Sequence, residues 1–300
     1  MSSSLDPRDL TRVVDLLAAA TEADGVRPLS EEAELRLRHG GPSTGHDVLL
    51  RDGDTLVGYA RLEDGSAELV VHPHARCRGF GGRLLDRVIE LAGDRPLSVW
   101  AHGDLPGSAQ LLSSRGFTRG RVLLQMRRGL AGLDTDSAPA LPDGVHVEPF
   151  RPKRDEQAWL RVNARAFATH PEQGSWTAED LRLREDEPWF DSAGFLLAWR
   201  GDPEAGGELL GSHWTKVHPP GDVLPDERVG EVYVLGIAPE AQGLGLGRAL
   251  TDLGLAHLRA RGLRQVLLYV EEDNAAAVRL YESRGFTRFS ADVSWRREPR

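Results

Sequence analysis

The sequence predicts a mixed α/β (α+β) fold built twice, as two tandem domains of mixed sheet and helix. Three observations lead there. First, 300 residues suit two domains of about 150 residues each. Second, the chain repeats itself. Residues 66–83 (SAELVVHPHARCRGFGGR) lie over 232–249 (VYVLGIAPEAQGLGLGRA) at an offset of 166, with Pro73 on Pro239, Gly79 on Gly245 and Gly81 on Gly247. Further on, 109–117 (AQLLSSRGF) matches 278–286 (VRLYESRGF) at an offset of 169, so three residues enter in the helix between or the loop after it. Third, helical and strand periodicities recur in the same order in both halves.

Each element has its own signal. Helical spacing covers 8–20 and 153–167, then 30–38 and 177–184. Two strands follow in each half, 47–51 and 54–62, then 193–199 and 207–216. A strongly apolar strand comes next, 67–72 and 231–237. A glycine-rich turn opens a helix at 79–92 and 245–261. A strand (97–101; 265–270), a helix (107–115; 274–284) and a last strand (118–127; 287–295) complete each copy. Strands mixed with helices in this order imply a mixed sheet. The segment 129–143 (GLAGLDTDSAPALPD) has no periodicity and reads as a linker. The expected domains are therefore 1–130 and 144–300, joined by 131–143.

Composition narrows the function. Hydrophobic residues at 40% and charged residues at 28% allow each half a real core. A net charge of −9 argues against a nucleic-acid partner. The single cysteine, Cys77, excludes a disulfide framework and a cysteine zinc site, and the histidines lack metal-ligand spacing, so no metal is expected. No apolar run reaches the ~18 residues that span a bilayer, and MSSSLDPRDL lacks an apolar leader core. The expectation is a cytoplasmic monomer with no membrane contact.

The glycine turn is the motif that carries chemistry. In the second copy the strand VYVLGI ends at Ala238-Pro239, and Gln242-Gly243-Leu244-Gly245-Leu246-Gly247 opens the next helix. In the first copy Arg76-Cys77-Arg78-Gly79-Phe80-Gly81 stands there. First-turn N–H groups have no partner within the helix, and the dipole is positive at that end. Glycines let backbone approach a phosphate, so a pyrophosphate fits. A flexible turn without ligand is the plainer alternative; two copies at one strand-to-helix junction favour the ligand. The spacing is not Gly-x-Gly-x-x-Gly, which excludes a dinucleotide-binding βαβ unit.

Strand, then (Gln/Arg)-x-x-Gly-x-Gly, then helix resembles the acyl-coenzyme A site of the GNAT acetyltransferase superfamily. A second hallmark is Asn274-Ala275-Ala276-Ala277-Val278-Arg279-Leu280-Tyr281 followed by Gly285-Phe286. The resemblance covers nearly the whole chain as a tandem. It implies that acetyl-CoA binds with its pyrophosphate on Gln242, Gly243, Leu244, Gly245, Leu246, Gly247 and Arg248. Its pantetheine arm would pair with Leu235, Gly236 and Ile237, and 274–279 would line it. In the first copy the corresponding residues are Leu69, Val70, Val71, Cys77, Arg78, Gly79, Phe80, Gly81 and Gly82. Further strings, His170-Pro171-Glu172-Gln173, 213–218 (HWTKVH), 231–234 (EVYV) and 268–271 (LYVE), are similar to a two-domain, mycothiol-forming branch. That branch acetylates the cysteinyl amine of cysteinyl-glucosaminyl-inositol, a small thiol-sugar. The resemblance implies substrate contacts from Glu31, Glu172, Lys216, Glu231 and Tyr269, with the substrate between the domains.

Amide formation from a thioester needs a base for the amine, donors for the oxyanion and an acid for the thiolate. Glu231 opens the cofactor strand and reaches the amine directly or through water; a solvated strand-end carboxylate is the alternative. Tyr281 lies two turns along the helix from Asn274 and can protonate the sulfur; a packing aromatic is the alternative. Backbone N–H groups around Leu235 are the implied oxyanion donors. In the first copy Tyr281 becomes Leu112, Asn274 becomes Leu105 and Glu231 falls on Gly65, while Glu68 stands in the register of Val234. The first copy is therefore expected to bind acetyl-CoA without turnover, and the second to be catalytic. A tandem acetyltransferase acting on another amine or a protein N-terminus, and a coenzyme A-sensing module, are the competing functions. Lys216 is one of two lysines, which suggests a required ammonium.

Overall fold

A computed structural model describes residues 5–39, 45–133, 139–170, 173–224 and 226–299. The chain forms two compact units. The first takes residues 1–124, 271–273 and 290–300; the second takes 125–270 and 274–289. A division at 131–143 is thus crossed twice: strand residues 125–130 go with the second unit, and the last eleven residues go with the first.

In the first unit, α1 (Pro7–Asp24) and α2 (Glu31–His39) precede β1 (His46–Asp52), β2 (Thr55–Glu63) and β3 (Ser66–Val71). The Asp6 side chain accepts from the Arg8 N–H at the start of α1, Pro7 fixes the first turn, and Gly25 ends the helix in the left-handed region at φ 68°. Asp64-Gly65, both at positive φ, form the two-residue turn between β2 and β3. Then come α3 (Phe80–Ala92), β4 (Leu97–Ala101), α4 (Pro106–Ser114) and β5 (Thr118–Gly129). Val13, Leu16, Leu17 and Ala20 of α1 pack with Tyr59 of β2, whereas Leu84, Leu85 and Val88 of α3 pack with Ala60. Adjacent strand residues face opposite ways, so the two helices cover the two faces of β2.

In the second unit, β6 (Val145–Pro149) leads to α5 (Glu156–Ala166), α6 (Ala178–Glu185), β7 (Phe195–Arg200), β8 (Glu208–His218) and β9 (Val229–Ile237). Thr177 and Asp180 cap α6 reciprocally. α7 (Leu246–Ala260), β10 (Gln265–Glu271), α8 (Ala275–Ser283) and β11 (Thr287–Arg297) follow. The core is aromatic: Phe195 stacks on Trp214 at 4.2 Å, and Trp159 meets both rings edge-on. Trp159 keeps its indole N–H satisfied on Ser212 Oγ at 2.9 Å.

The mixed sheets and the element order agree with the sequence expectation. β6 is additional: its five residues alternate apolar and polar, but the run is short and ends in proline. In the first unit the order is β1-β2-β3-β4-β11-β5, with β11 supplied by the chain's end: Val293 to Arg297 pair antiparallel with Ala101 to Leu97 of β4. In the second it is β5-β10-β9-β8-β7-β6. Among the described residues, no helix is long and apolar enough to cross a membrane.

Candidate active site

Both glycine turns have one backbone design. Gly79 and Gly245 are the N-cap residues of α3 and α7, at φ 84° and 80°. A Cβ at either would meet nothing within 4 Å, so the left-handed backbone, not crowding within the chain, requires glycine. That space, lying in front of unpartnered first-turn N–H groups, fits a pyrophosphate. Arg76 Nε donates to Val71 O at 3.1 Å, and Gln242 Nε2 donates to Ile237 O at 3.4 Å, so each turn is tied to the end of its strand in the same way. Cys77 has φ 59°, where the second copy has Gly243 at 80°. It is therefore a strained residue, not a merely tolerated small one. Arg78 is ion-paired to Asp52 and lies over Phe80, while Leu244 at the matching position is exposed.

The strands that lead into these turns part from their neighbours. β3 and β4 pair in parallel over three rungs, Ser66–Ser98 to Glu68–Trp100, and β9 and β10 over three, Gly230–Val266 to Val232–Leu268. Beyond these rungs Leu69, Val70 and Val71, like Leu235, Gly236 and Ile237, have no strand paired on that side among the described residues. In the first unit a cavity of about 640 Å³ opens there. It runs from Cys77, Gly79, Gly81 and Gly82 on the turn to His102 after β4, and Leu105 and Leu112 wall it.

In the second unit, β8 and β9 pair with one irregularity: Trp214 faces Val234 and Thr215 faces Val232, which leaves Tyr233 as an extra residue. β2 and β3 pair without a break. Counting back across the bulge puts Glu231 against Ser66, not Gly65, a shift of one that sequence alignment missed; neither residue is acidic. Glu231 is buried and faces Lys216 across the hairpin. Its Oε2 lies 2.6 Å from His218 Nε2, and His218 Nδ1 lies 3.5 Å from Asp222 Oδ2. Burial alone would strip the His218 proton, but Asp222 and Glu231 outweigh it and raise its pKa above the ordinary value. The buried Lys216 ammonium sits 4.6 Å from the Trp189 ring centre and 5.3 Å from that of Tyr233. The carboxylate is therefore not a solvated strand end.

Asn274 caps α8 by accepting from Ala277 N–H at 3.1 Å, so its side-chain oxygen serves its own helix. Ala275, Ala276, Ala277, Val278 and Arg279 form the first turns of α8. Tyr281 is buried on that helix, edge-on to Phe286 at 5.7 Å, and burial pushes its phenol well above the usual range. Among the described residues its hydroxyl has no hydrogen bond. Tyr269 is exposed, and its hydroxyl accepts from Gln125 Nε2 at 2.7 Å. Glu31 begins α2 in the first unit. Glu172 lies outside the described residues. Leu246, Gly247 and Arg248 open α7.

The first unit is not without ionisable groups. Glu68 is buried, accepts from Ser30 N–H at 2.9 Å and lies 3.4 Å from His102 Nε2. His102 Nδ1 is 3.1 Å from Asp292 Oδ2, and Asp292 also accepts from Gly103 N–H. Although burial opposes the charge, Asp292 and Glu68 hold His102 protonated, with its pKa raised to about 10. Sequence comparison places Glu68 in the register of Val234 and could not show its partners, which lie far away in the chain. Sequence reasoning also passed over His218, for which a signal existed. Lys216 and His218 alternate on one strand of a hairpin opposite Glu231, and diagonal cross-strand neighbours share a face. Among the described residues no cluster of His, Cys, Asp or Glu is arranged to hold a metal.

Comparison with known proteins agrees with this geometry. The acetyltransferase (GNAT) family matches residues 10–117 and 159–286. The chain is similar to a mycothiol acetyltransferase of Geodermatophilus obscurus, 70% identical over 98% of this chain and 96% of that one. It is also similar to one of Thermobispora bispora, 57% identical over 97% of each. Among solved structures, a tandem GNAT protein from the clavulanic acid biosynthesis pathway superposes with a TM-score of 0.72 at 23% identity, over 99% of this chain and 96% of that one. A GCN5-related N-acetyltransferase from Sphaerobacter thermophilus gives 0.69 at 24% identity, over 99% and 95%. These two show the shared fold.

Proposed function

We propose that this chain, which belongs to the acetyltransferase (GNAT) family, moves acetyl from acetyl-CoA to the cysteinyl amine of cysteinyl-glucosaminyl-inositol, the step that completes mycothiol. Relatives of that name at 70% and 57% identity support the substrate. The observation that carries the chemistry is a buried carboxylate, Glu231, on the strand that leads to the Gly245 turn, within the three rungs where β9 and β10 still pair.

Acetyl-CoA supplies the acetyl thioester. The α7 N-terminus holds its pyrophosphate through N–H groups that the left-handed Gly243 and Gly245 leave facing outward. Backbone groups of Leu235, Gly236 and Ile237 pair its amide arm, and N–H groups at Leu235 meet the developing oxyanion. Glu231 takes a proton from the amine as nitrogen attacks the carbonyl carbon. The C–S bond breaks, and Tyr281 gives its proton to the sulfur; burial keeps the phenol protonated until then. Lys216, on the rung facing Glu231, binds acceptor hydroxyls together with Tyr269 of the same unit. The first unit takes a second acetyl-CoA without turnover, because Leu105 and Leu112 stand where Asn274 and Tyr281 would be. The protein acts as a cytoplasmic monomer on a small thiol-sugar.

Mass spectrometry of the purified chain with acetyl-CoA and cysteinyl-glucosaminyl-inositol tests the reading. The expected result is one acetyl group added on the cysteinyl nitrogen. No product there, with rapid acetylation of a different amine from a substrate panel, would replace the substrate assignment.

A further inference from the structure

We propose that His218 is a positioning residue for acetyl transfer: it holds the Glu231 carboxylate by one oxygen, as a cation backed by Asp222, and leaves the other oxygen for the acceptor amine. The inference rests on Glu231 being the base.

The geometry is one-sided. Glu231 Oε2 is 2.6 Å from His218 Nε2, whereas Oε1 has no hydrogen bond among the described residues. Both side chains are more than nine-tenths buried, at 7% and 6% exposure for the residues, so solvent neither screens the contact nor competes for it. A carboxylate free to rotate presents its proton-accepting lone pair in many directions; one oxygen tied to a buried ring presents it in few. Asp222, in the loop after β8, lies within ion-pair distance of Nδ1 at 3.5 Å, without a hydrogen bond. The third charge that His218 feels is Lys216, two residues back on β8, which opposes its protonation; the two carboxylates outweigh it. Asp222 and Glu231 thus enclose one cation, whose attraction keeps Glu231 Oε2 turned to the ring. The bulge at Tyr233 belongs to the same device: it sets the register in which Glu231 and His218 become diagonal neighbours.

Two variants test the role on the full chain, with acetyl-CoA and the acceptor as probes. His218→Gln keeps a hydrogen-bond donor and removes the charge. It should lower kcat about 10- to 100-fold, leave the KM for acetyl-CoA unchanged, and move the acid limb of the kcat/KM profile about 1 pH unit upward. The sign follows from charge: with the cation gone, the carboxylate binds its proton at higher pH, so activity is lost earlier on acidification. Asp222→Asn, on the half-exposed loop side, should move the limb the same way by less. If both proteins are folded and their acid limbs coincide with wild type, the inference is overturned. Glu231→Gln separates the two readings. An active Glu231→Gln protein removes Glu231 as base and this inference with it. An inactive one, alongside unmoved limbs in the other two, removes only His218.

Discussion

The two units have the same anion turn and the same parting strands, and each has a glutamate, a histidine and an aspartate near the parting point. Their wiring differs. In the second unit one imidazole nitrogen touches Glu231 at 2.6 Å and Asp222 stands behind at 3.5 Å, so a tight pair has a looser support. In the first unit His102 sits between two carboxylates at 3.4 and 3.1 Å, and both of these are engaged elsewhere, Glu68 by Ser30 N–H and Asp292 by Gly103 N–H. A carboxylate whose oxygens are all committed is an ion-pair brace; one with a free oxygen is a base in waiting. The difference teaches that the same residue types can leave a carboxylate oxygen open in one unit and engage both in the other. The bulge at Tyr233 sets Glu231 in that position, and the unbroken β2–β3 pairing provides no equivalent.

Parallel substitutions break or sharpen this contrast. The largest effect is expected from Glu231→Gln, which should cost ~10²–10⁴-fold in kcat. Glu68→Gln should leave kcat within about threefold, since it removes a brace from the unit proposed to bind acetyl-CoA without turnover. Steady-state assays of both, at saturating acetyl-CoA, decide; equal losses would dissolve the distinction. Next, Tyr281→Phe should lower kcat about 10²-fold and alter the alkaline limb of the rate profile, whereas Leu112→Tyr should not create a second turnover site.

Stability should separate the units by pH in opposite directions. His102 has its folded pKa raised from 6.5 to about 10, so the stability it contributes is complete below about pH 6.5 and is lost as pH rises towards 10. His213 is buried, and burial, with His257 nearby, lowers its pKa to about 4. Its contribution is complete above about pH 6.5 and is lost as pH falls towards 4. Denaturant titrations from pH 4 to 10 should show His102→Gln flattening the alkaline decline and His213→Gln the acid one. The smallest effect is expected from Cys77→Gly, which relieves a left-handed non-glycine residue. Offset by the entropy of glycine, it should add about 0.5–1 kcal/mol, seen as a rise in melting temperature of a few degrees.

Much of this was legible in the sequence. Patterns local in the chain survived: the repeat, the two glycine turns, and helices such as α1, whose capping Asp6 and buried Val13, Leu16, Leu17 and Ala20 follow a simple period. Glu231 and Tyr281 were singled out through the family motif, and both are buried. What sequence could not give depends on register or on distant partners. One extra residue at Tyr233 moves Glu231 by a rung, and no composition signal marks it. Glu68 meets His102 across 34 positions, and His102 meets Asp292 across 190. Asn274 also caps its own helix, a role the family motif does not reveal.

The ownership of β11 has a consequence for how the chain comes into being. Asp292, Val293 and Trp295 follow the whole of the second unit in the chain, yet they belong to the first unit: Val293 is wholly buried in its core, and Asp292 braces His102. During synthesis the first unit therefore lacks a strand between β4 and β5 until the second unit has been made. The open edge of β4 is a site for pairing with a neighbouring nascent chain. Expressing residues 1–130 alone reproduces that half-made state permanently, so the repeat seen in the gene does not mark a cut at which the protein can be divided.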